Sequence, residues 1–258
     1  MKPLDQQTVL VTGSSDGLGR LVARELASRG ADVLVHGRDR AKTEAVADEI
    51  GSRRALIADL VSLEEVRRLA GEVGELDALV NNAGVYVPER SLSADGFELT
   101  FAVNYLSHFL LTALLLPRAP ARIVSVSSLG QIPIDWDDVM LERGYEPFRA
   151  YAQSKLAQVM HTFELAGRLD GGTTVTALHP ATFMDTKMVR ESSGRVVSTV
   201  EEGAEAVLRL VADPSLDGVT GRFFDGLVES SANEQAYDVG ARRRLWELSE
   251  RWTGLSTA

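Results

Sequence analysis

A short apolar strand that runs directly into a glycine-rich turn and then a helix, over residues 8–19, constrains the fold of this chain more than any other feature. Thr8–Val11 is β-branched and apolar, which predicts a strand buried on both faces. Gly13, Gly17 and Gly19 follow, and apolar residues then recur at helical spacing. The glycines therefore lie on a strand-to-helix turn, where backbone N–H groups and the positive helix end can hold a phosphate.

The spacing of these glycines is GxxxGxG rather than the commoner GxGxxG. Alone, the triplet is weak evidence and is also consistent with an ordinary tight turn that opens a helix. A side chain at these positions would block a pyrophosphate, or the packing of helix on strand, which is the physical reason for glycine. The strand, turn, helix and second strand together favour the nucleotide-binding interpretation.

Six more strands and six more helical patterns alternate along the rest of the chain. The predicted strands are Asp32–His36, Ala55–Ala58, Ala78–Val80, Arg122–Val126, Thr173–Leu178 and Gly221–Phe224. The predicted helices cover residues 40–50, 63–71, 96–116, 149–169, 201–212 and 242–252. This alternation predicts an α/β class, a Rossmann-type doubly wound parallel sheet of about seven strands flanked by helices. No repeat or linker interrupts it, so one domain over residues 1–258 is expected.

Four motifs follow predicted strands directly, and parallel strands put their carboxyl ends on one edge, where ligands bind. These motifs are Gly13–Gly19, Asn81–Gly84, Ser127-Ser128 and His179-Pro180.

Composition excludes several kinds of function. The formal charge of −10 argues against nucleic acid as a partner, because phosphate binding requires a basic surface. Cysteine is absent and the four histidines show no metal-ligand spacing, so no metal site is predicted. The N-terminal MKPLDQQ has no apolar core, and the apolar run Phe109–Leu116 is too short to span a bilayer. A cytoplasmic protein without a membrane partner is expected.

Tyr151 and Lys155 are four residues apart on a predicted helix and therefore share a face. A free tyrosine has a pKa of about 10 and is a poor acid or base at neutral pH. A nearby lysine ammonium favours the phenolate and lowers the pKa of the tyrosine, which makes general acid–base catalysis accessible. Alone, the pair is also consistent with an ordinary solvated pair on a helix surface.

In this context the chain resembles the short-chain dehydrogenase/reductase family. The resemblance is carried, in the family's order and over most of the chain, by Thr12–Gly19, Asn81–Gly84, Asn104, Ser128 and Tyr151–Lys155. Two further segments, Val103–Phe109 and Arg243–Ser249, look most like the retinol-dehydrogenase-like branch, without that branch's membrane anchor.

The resemblance implies a role for each matching residue. Tyr151 would exchange a proton with the substrate oxygen, and Ser128 would hydrogen-bond that oxygen. Lys155 would lower the pKa of Tyr151 and bind the nicotinamide ribose, and Asn104 would hold a water in a proton relay to Lys155. The hydride transfer requires no metal. The implied cofactor-binding residues are Gly13, Ser15, Asp16, Gly17, Leu18, Gly19, Arg38, Asp59, Leu60, Asn82, Ala83, Gly84, Tyr151, Lys155 and Pro180. Asn81 is expected to brace neighbouring strands.

The choice between NADP and NAD depends on two adjacent residues. Asp39 lies 20 residues past Gly19, where an acidic side chain can bind a ribose 2′-hydroxyl and favour NAD. The second strand is predicted to end at His36, however, so Arg38 comes first and can pair with a 2′-phosphate. In the family an arginine at this place goes with NADP. Asp39 is then interpreted as a helix N-cap, and NADP is favoured.

The chain departs from the family pattern at two places. Ser128 and Tyr151 are 23 residues apart, a longer gap than usual, so residues 130–148 form an insertion. Its run Asp135–Asp138 is interpreted as a solvated rim, with a substrate-facing lip as the alternative. His179-Pro180-Ala181 replaces the usual Pro-Gly, which leaves the shape of the nicotinamide pocket open. Residues 184–199 occupy the place of the family's substrate lid, with an ordinary loop as the alternative.

These features together predict an NADP(H)-dependent oxidoreductase that interconverts a secondary alcohol and a carbonyl, with Tyr151 as general acid and base. The alternatives are a nucleotide-sensing protein of the same fold without turnover, and a lyase or epimerase that uses the same tyrosine. The expected partner is a small alcohol or carbonyl compound, and homo-oligomers are possible because they are common in the family.

Overall fold

Short β-branched and apolar segments form the strands of a single twisted sheet. The computed structural model describes residues 2–52, 54–192 and 194–255. The strands are β1 Thr8–Val11, β2 Asp32–Gly37, β3 Ala55–Ile57, β4 Ala78–Asn81, β5 Arg122–Val126, β6 Thr174–His179, β7 Arg222–Asp225 and β8 Val228–Ser230. Their order in the sheet is β3-β2-β1-β4-β5-β6-β7-β8, and only β8 is antiparallel to its neighbour.

The helices pack on both faces of this sheet. They are α1 Gly17–Ser28, α2 Arg40–Glu49, α3 Leu63–Glu72, α4 Leu99–Phe101, α5 Ser107–Leu115, α6 Pro147–Arg168, α7 Lys187–Ser192, α8 Val200–Ala212 and α9 Val239–Thr253. Alternate residues of β1 point to opposite faces: Val9 and Val11 pack with α1, α2 and α8, whereas Leu10 packs with α3 and α5. Helix α9 lies outside α5 and α6, where the Trp246 ring is 5.1 Å from the Phe109 ring.

The predicted fold class is confirmed as a single α/β domain, with one strand more than expected. The additional strand, β8, is three residues long and pairs with β7 through a tight hairpin that contains Gly226. Its residues are mostly exposed, so it lacks the apolar pattern that identifies the buried strands.

The helix predicted over residues 96–116 differs from the observed one at its start and in its middle. It begins at Leu99, because the buried carboxylate of Glu98 accepts hydrogen bonds from the N–H groups of Thr100 and Phe101. A π-helical segment, Ala102–Leu106, then separates α4 from α5. The wider turn changes the direction of the side chains around Asn104, and hydrophobic periodicity does not reveal it.

The run Leu99–Arg118 is 20 residues long and has a mean hydropathy of 1.7. Of the described part of the chain, it is the one segment with the length and composition to cross a membrane. It is longer than the apolar run predicted from the sequence. Seventy-eight per cent of this window is buried inside the protein, as in a core helix, and α5 packs against α3.

Close packing of α1 on the glycine turn explains Gly19. A Cβ at this position would lie 2.4 Å from the carbonyl oxygen of Gly13 and 2.5 Å from the Asn82 Nδ2 atom. The Gly13 oxygen is a backbone atom and the Asn82 amide is held by its hydrogen bond to the Thr12 carbonyl, so a side chain here would push the helix away from the turn.

We predict that Gly19→Ala destabilises the protein by about 2 kcal/mol or more, because the added methyl group overlaps backbone atoms. Gly71→Ala is the matched control: Gly71 is an exposed residue inside α3, and a Cβ there meets nothing within 4 Å. That control should be stabilised by about 0.5–1 kcal/mol. Urea unfolding of the two variants measures both effects, and equal stabilities would contradict the packing argument.

Candidate active site

The predicted motifs meet at one edge of the sheet, where β1 and β4 lie side by side and the strand order reverses. A Cβ on Gly13, which has a φ of +65°, would lie 2.9 Å from the Ala83 Cα atom. The turn after β1 and the loop after β4 are therefore in contact. The carboxyl ends of β5 and β6 continue the same edge, as predicted. A topological switch point of this kind forms a ligand-binding crevice.

The buried hydroxyl of Thr12 joins these two loops. Its Oγ1 atom accepts hydrogen bonds from the N–H groups of Asn82 (2.9 Å) and Ala83 (3.0 Å). The Asn82 side chain donates in turn to the Thr12 carbonyl at 2.8 Å. Asn82 therefore holds the backbone of the turn in place, in addition to any contact with a ligand.

The first turn of α1 presents free N–H donors to this crevice. Within the described ranges, neither Leu18 nor Gly19 has an acceptor for its backbone N–H, as expected at a helix N-terminus. Asp16 caps the helix by accepting a hydrogen bond from Gly17. Free donors and a positive helix end suit the pyrophosphate of a dinucleotide, so the residues present fit that group.

The other end of the crevice lies at β2 and β3. A Cβ on Gly37 would lie 2.6 Å from the Ser15 Oγ atom, so glycine allows Ser15 to pack on the end of β2. The exposed Arg38 follows directly. The Asp39 carboxylate caps α2 by accepting from the Lys42 N–H at 3.1 Å, which confirms its predicted role as an N-cap.

Asp59 and Leu60 follow β3 beside this end of β2. The N–H of the preceding Ala58 donates to the Gly37 carbonyl at 3.2 Å. The Asp59 carboxylate accepts from the Val61 N–H, and Leu60 is buried. The residues assigned to the cofactor therefore form one continuous edge.

Helix α6 carries Tyr151 and Lys155 into the same crevice beside Ser128. The Ser128 hydroxyl lies close enough to the Tyr151 phenol to lower the pKa of that phenol. The Lys155 Nζ atom lies 5.5 Å from the centre of the Tyr151 ring and donates to the Val126 carbonyl at 2.8 Å. The structure thus brings together the predicted serine, tyrosine and lysine.

Burial controls the protonation of this pair. Burial raises the pKa of Tyr151, and the nearby Ser128 hydroxyl only partly opposes this. Burial also lowers the pKa of Lys155 to about 7. The predicted lowering of the Tyr151 pKa by Lys155 is therefore wrong for the protein alone, because desolvation is the dominant influence on this phenol.

The amide of Asn104 is largely committed to the protein. Its Oδ1 atom accepts from the Val85 N–H at 2.7 Å, and its Nδ2 atom donates to the Val85 carbonyl and to the Ser154 hydroxyl. One lone pair of Oδ1 remains. A Cβ on Gly84 would lie 3.4 Å from Oδ1 and 3.6 Å from Lys155 Nζ, so Gly84 leaves a space between these two groups.

Several residues that position the site were not singled out as site residues by the sequence analysis. Ser127 donates to the Lys155 carbonyl at 2.7 Å and so attaches α6 to β5. Ser154, Thr12 and His108 also support the site. Only their positions inside the family motifs could have indicated them, because each acts on a partner distant in sequence. Asn81 braces β4 against α5, through Thr112, rather than against a neighbouring strand.

The two departures from the family pattern form walls of the crevice. Residues 130–148 are held by an ion pair of 2.9 Å between Asp135 and Arg149 and by Gln153, which donates to the Val139 carbonyl. Asp138 accepts from two backbone N–H groups of its own turn. The acidic run is thus a structured rim. The His179 Nε2 atom is 3.0 Å from the Thr182 hydroxyl, which shapes the turn beside Pro180.

The segment 184–199, of which residue 193 lies outside the described residues, covers the glycine turn. It contains α7 and a parallel bridge between Met184 and Ser198. A Cβ on Gly17 would lie 3.7 Å from Thr186, and one on Gly203 would overlap the Met184 sulfur atom. The segment is therefore more structured than the ordinary loop that was the alternative to the substrate lid, and its role as a lid stays a prediction.

Comparison with known proteins agrees with this geometry. Residues 7–196 match the short chain dehydrogenase family model. Retinol dehydrogenase 13 of Mus musculus is 38% identical over 290 residues, which cover 98% of this chain and 85% of that protein. Retinol dehydrogenase 13 of Homo sapiens is 39% identical, and the match covers 96% of this chain and 85% of that protein.

Solved structures give the same result. An uncharacterised protein from Mycobacterium paratuberculosis has a TM-score of 0.86 at 34% identity, with 98% of this chain and 96% of that one covered. A short chain dehydrogenase from Shigella flexneri complexed with NADP has a TM-score of 0.70 at 25% identity, with 86% and 97% covered. A 3-ketoacyl-(acyl-carrier-protein) reductase from Brucella melitensis complexed with NADH has a TM-score of 0.68 at 28% identity, with 86% of this chain and 97% of that one covered.

The sequence matches, the shared fold and the Ser128, Tyr151 and Lys155 arrangement at the switch point agree with one another. The chain belongs to the short-chain dehydrogenase family, as a retinol-dehydrogenase-like member, and is an oxidoreductase that acts on CH–OH groups with NAD(P).

Proposed function

We propose that this enzyme reduces a carbonyl compound to an alcohol with NADPH, using Tyr151 as the general acid. The observation that carries the proposal is the position of Tyr151 beside Ser128 and Lys155, where desolvation raises the pKa of its phenol. A phenol that stays protonated through neutral pH can donate to the oxygen of a carbonyl as negative charge develops there. The bound nicotinamide supplies the hydride when it is reduced.

The space beside Gly84 supports a role for Asn104 in proton supply. Asn104 Oδ1 and Lys155 Nζ both border this space, and one water there would have an acceptor and a donor. Lys155, with its pKa near 7, can exchange a proton at working pH. The proposed path runs from the water to Lys155 and then towards Tyr151, and Asn104 would hold the water through its remaining lone pair.

The end of β2 supports NADP over NAD. Arg38 forms no ion pair within residues 2–52, 54–192 and 194–255, whereas Arg40 pairs with Glu44 at 3.0 Å. Arg38 and the adjacent Ser15 hydroxyl are therefore available for a 2′-phosphate. The carboxylate of Asp39, which would repel that phosphate, is turned into the α2 cap.

The residues around the crevice favour an apolar substrate or one of mixed polarity. Three large apolar side chains stay about half exposed near the loops that follow β5 and β6: Leu129, Phe148 and Phe183. Phe148 lies against Gly130, whose added Cβ would be 3.5 Å from the Ser128 hydroxyl oxygen. The names of the relatives point to retinol, but none of these apolar side chains is specific to a retinoid.

We predict that Tyr151→Phe lowers kcat for NADPH-dependent reduction by about 100-fold or more, because the general acid is removed. The fastest substrate from a panel of ketones and aldehydes would serve for the assay. NADPH affinity, measured by fluorescence titration, should stay within a few-fold. Tyr86, whose ring centre is 5.8 Å from that of Tyr151, is the nearby phenol for comparison. If Tyr86→Phe abolishes turnover while Tyr151→Phe retains it, the assignment is wrong.

We predict that Gly84→Ala lowers kcat by about tenfold or more, because its methyl group occupies the space between Asn104 and Lys155. Gly84 has no positive φ and the new contacts are ordinary van der Waals distances, so the thermal midpoint should change little. Steady-state rates and thermal unfolding give both values. An unchanged kcat would remove the support for a water at this place.

We predict that Arg38→Glu reverses the ratio of NADPH to NADH affinity, by on the order of 100-fold, because a carboxylate repels the 2′-phosphate. Fluorescence titrations with both cofactors measure the ratio. Arg40→Gln is the matched control two residues away, in a side chain already paired with Glu44, and it should leave the ratio unchanged. If the ratio of NADPH to NADH affinity is the same in both variants, the NADP proposal is wrong.

A further inference from the structure

His108 is a buried histidine that the reaction as described does not use. It is the second residue of α5, directly after the π segment, and it lies beneath the crevice. Its Nδ1 atom is 3.1 Å from the backbone carbonyl oxygen of Asn104. Its Nε2 atom is 3.2 Å from the Thr12 hydroxyl. The ring therefore touches both the proton-supply side and the cofactor side of the site.

The Asn104 carbonyl determines which ring nitrogen carries the hydrogen. A carbonyl oxygen can only accept, so at 3.1 Å the Nδ1 atom must be the donor. The Gln158 amide nitrogen lies 3.5 Å from Nδ1, at the limit of a hydrogen bond, and does not outweigh this contact. Burial lowers the pKa of His108 to about 3, so the ring stays neutral and Nε2 is an acceptor.

The hydroxyl of Thr12 connects His108 to the loop that follows β4. Its two lone pairs accept from the N–H groups of Asn82 and Ala83, so its hydrogen is left to donate. The available acceptors are His108 Nε2 at 3.2 Å and the Val80 carbonyl at 3.3 Å. Donation to His108 keeps the lone pairs directed at the loop that follows β4.

We propose that His108 is a positioning residue that connects the dinucleotide-binding loops to Asn104 through two separate hydrogen bonds. The Nδ1–H bond holds the Asn104 peptide in the π segment, and so holds Oδ1 beside Gly84 and Lys155. The Nε2 bond orients the Thr12 hydroxyl, and so holds the Asn82–Ala83 backbone against the glycine turn. The first half rests on the proposed function, because it acts on the rate of reduction; the second half acts on cofactor binding alone.

A buried histidine elsewhere in the same core shows the contrast. His161 in α6 is equally enclosed, but it packs among the rings of Tyr105, Phe109 and Trp246. Its contacts are those of an aromatic core residue. His108, by comparison, makes polar contacts with the adjacent π segment and with two segments that are distant in sequence, at Thr12 after β1 and Gln158 in α6.

Two amide variants separate the two hydrogen bonds of His108. The Nδ2 atom of an asparagine takes the place of Nδ1, and the Oε1 atom of a glutamine takes the place of Nε2. His108→Asn therefore keeps the donor to Asn104 and loses the acceptor for Thr12. His108→Gln keeps the acceptor and loses the donor. His108→Phe removes both and keeps the ring, and His161→Phe is the control.

We expect a crossed result. His108→Gln should bind NADPH within about twofold of the parent protein but reduce kcat about tenfold, because one buried hydrogen bond is lost on the catalytic side. His108→Asn should keep kcat within about threefold and weaken NADPH binding about fivefold, because the Thr12 hydroxyl turns towards Val80. His108→Phe should show both losses, and His161→Phe neither.

Fluorescence titration with NADPH and steady-state kinetics with the best carbonyl substrate measure the two arms. Equal losses in the Asn and Gln variants, scaling with their thermal midpoints, would show a merely structural histidine and overturn the proposal. The NADPH titration tests the proposal even if no substrate is turned over: if His108→Asn binds NADPH as tightly as His108→Gln, the proposal fails. Failure of the proposed function appears instead as undiminished reduction by Tyr151→Phe.

Discussion

The hydroxyl of Thr12 is the interaction on which the crevice depends. A buried hydroxyl must find partners, and this one finds them on a loop 70 residues away, at the N–H groups of Asn82 and Ala83. The parallel pairing of β1 with β4 brings the two loops together, and Gly13 lets them touch without a side chain between them. The sheet sets the position of the site, and the Thr12 side chain holds its two loops together.

Desolvation governs the chemistry that this crevice can perform. Burial favours the neutral form of every titratable group, so it raises the pKa of Tyr151 and lowers that of Lys155. A protonated phenol beside an amine that titrates near neutral pH is the arrangement that the proposed proton donation requires. The Lys155–Val126 hydrogen bond and the Ser127–Lys155 carbonyl bond keep these groups in place at the end of β5.

The fold and much of the site could be predicted from the sequence, because β-branched runs, glycine turns and helical spacing are local signals. Local patterns placed Tyr151 and Lys155 on one helix face and Ser128 after a strand, the family resemblance gave them their roles, and the structure brings them together. The π segment around Asn104 and the exposed strand β8 were missed, since neither changes the hydrophobic pattern. The use of the Asn104 amide by Val85 and Ser154 was also missed, and so was the contact of His108 with Thr12, 96 residues away. Such contacts depend on tertiary packing, and no local pattern encodes them.

The wall formed by residues 130–148 is part of a larger packed layer rather than a free loop. The Asn233 N–H donates to the Gln131 side chain, and Gln235 forms two hydrogen bonds with the backbone of Ile134. The Arg244 guanidinium lies 4.9 Å from the centre of the Trp136 ring. Because the chain after β8 and the start of α9 hold this wall, substitutions near the C-terminus can reshape the substrate crevice without touching Tyr151. The shape of this wall is therefore coupled to residues more than 90 positions away in the sequence.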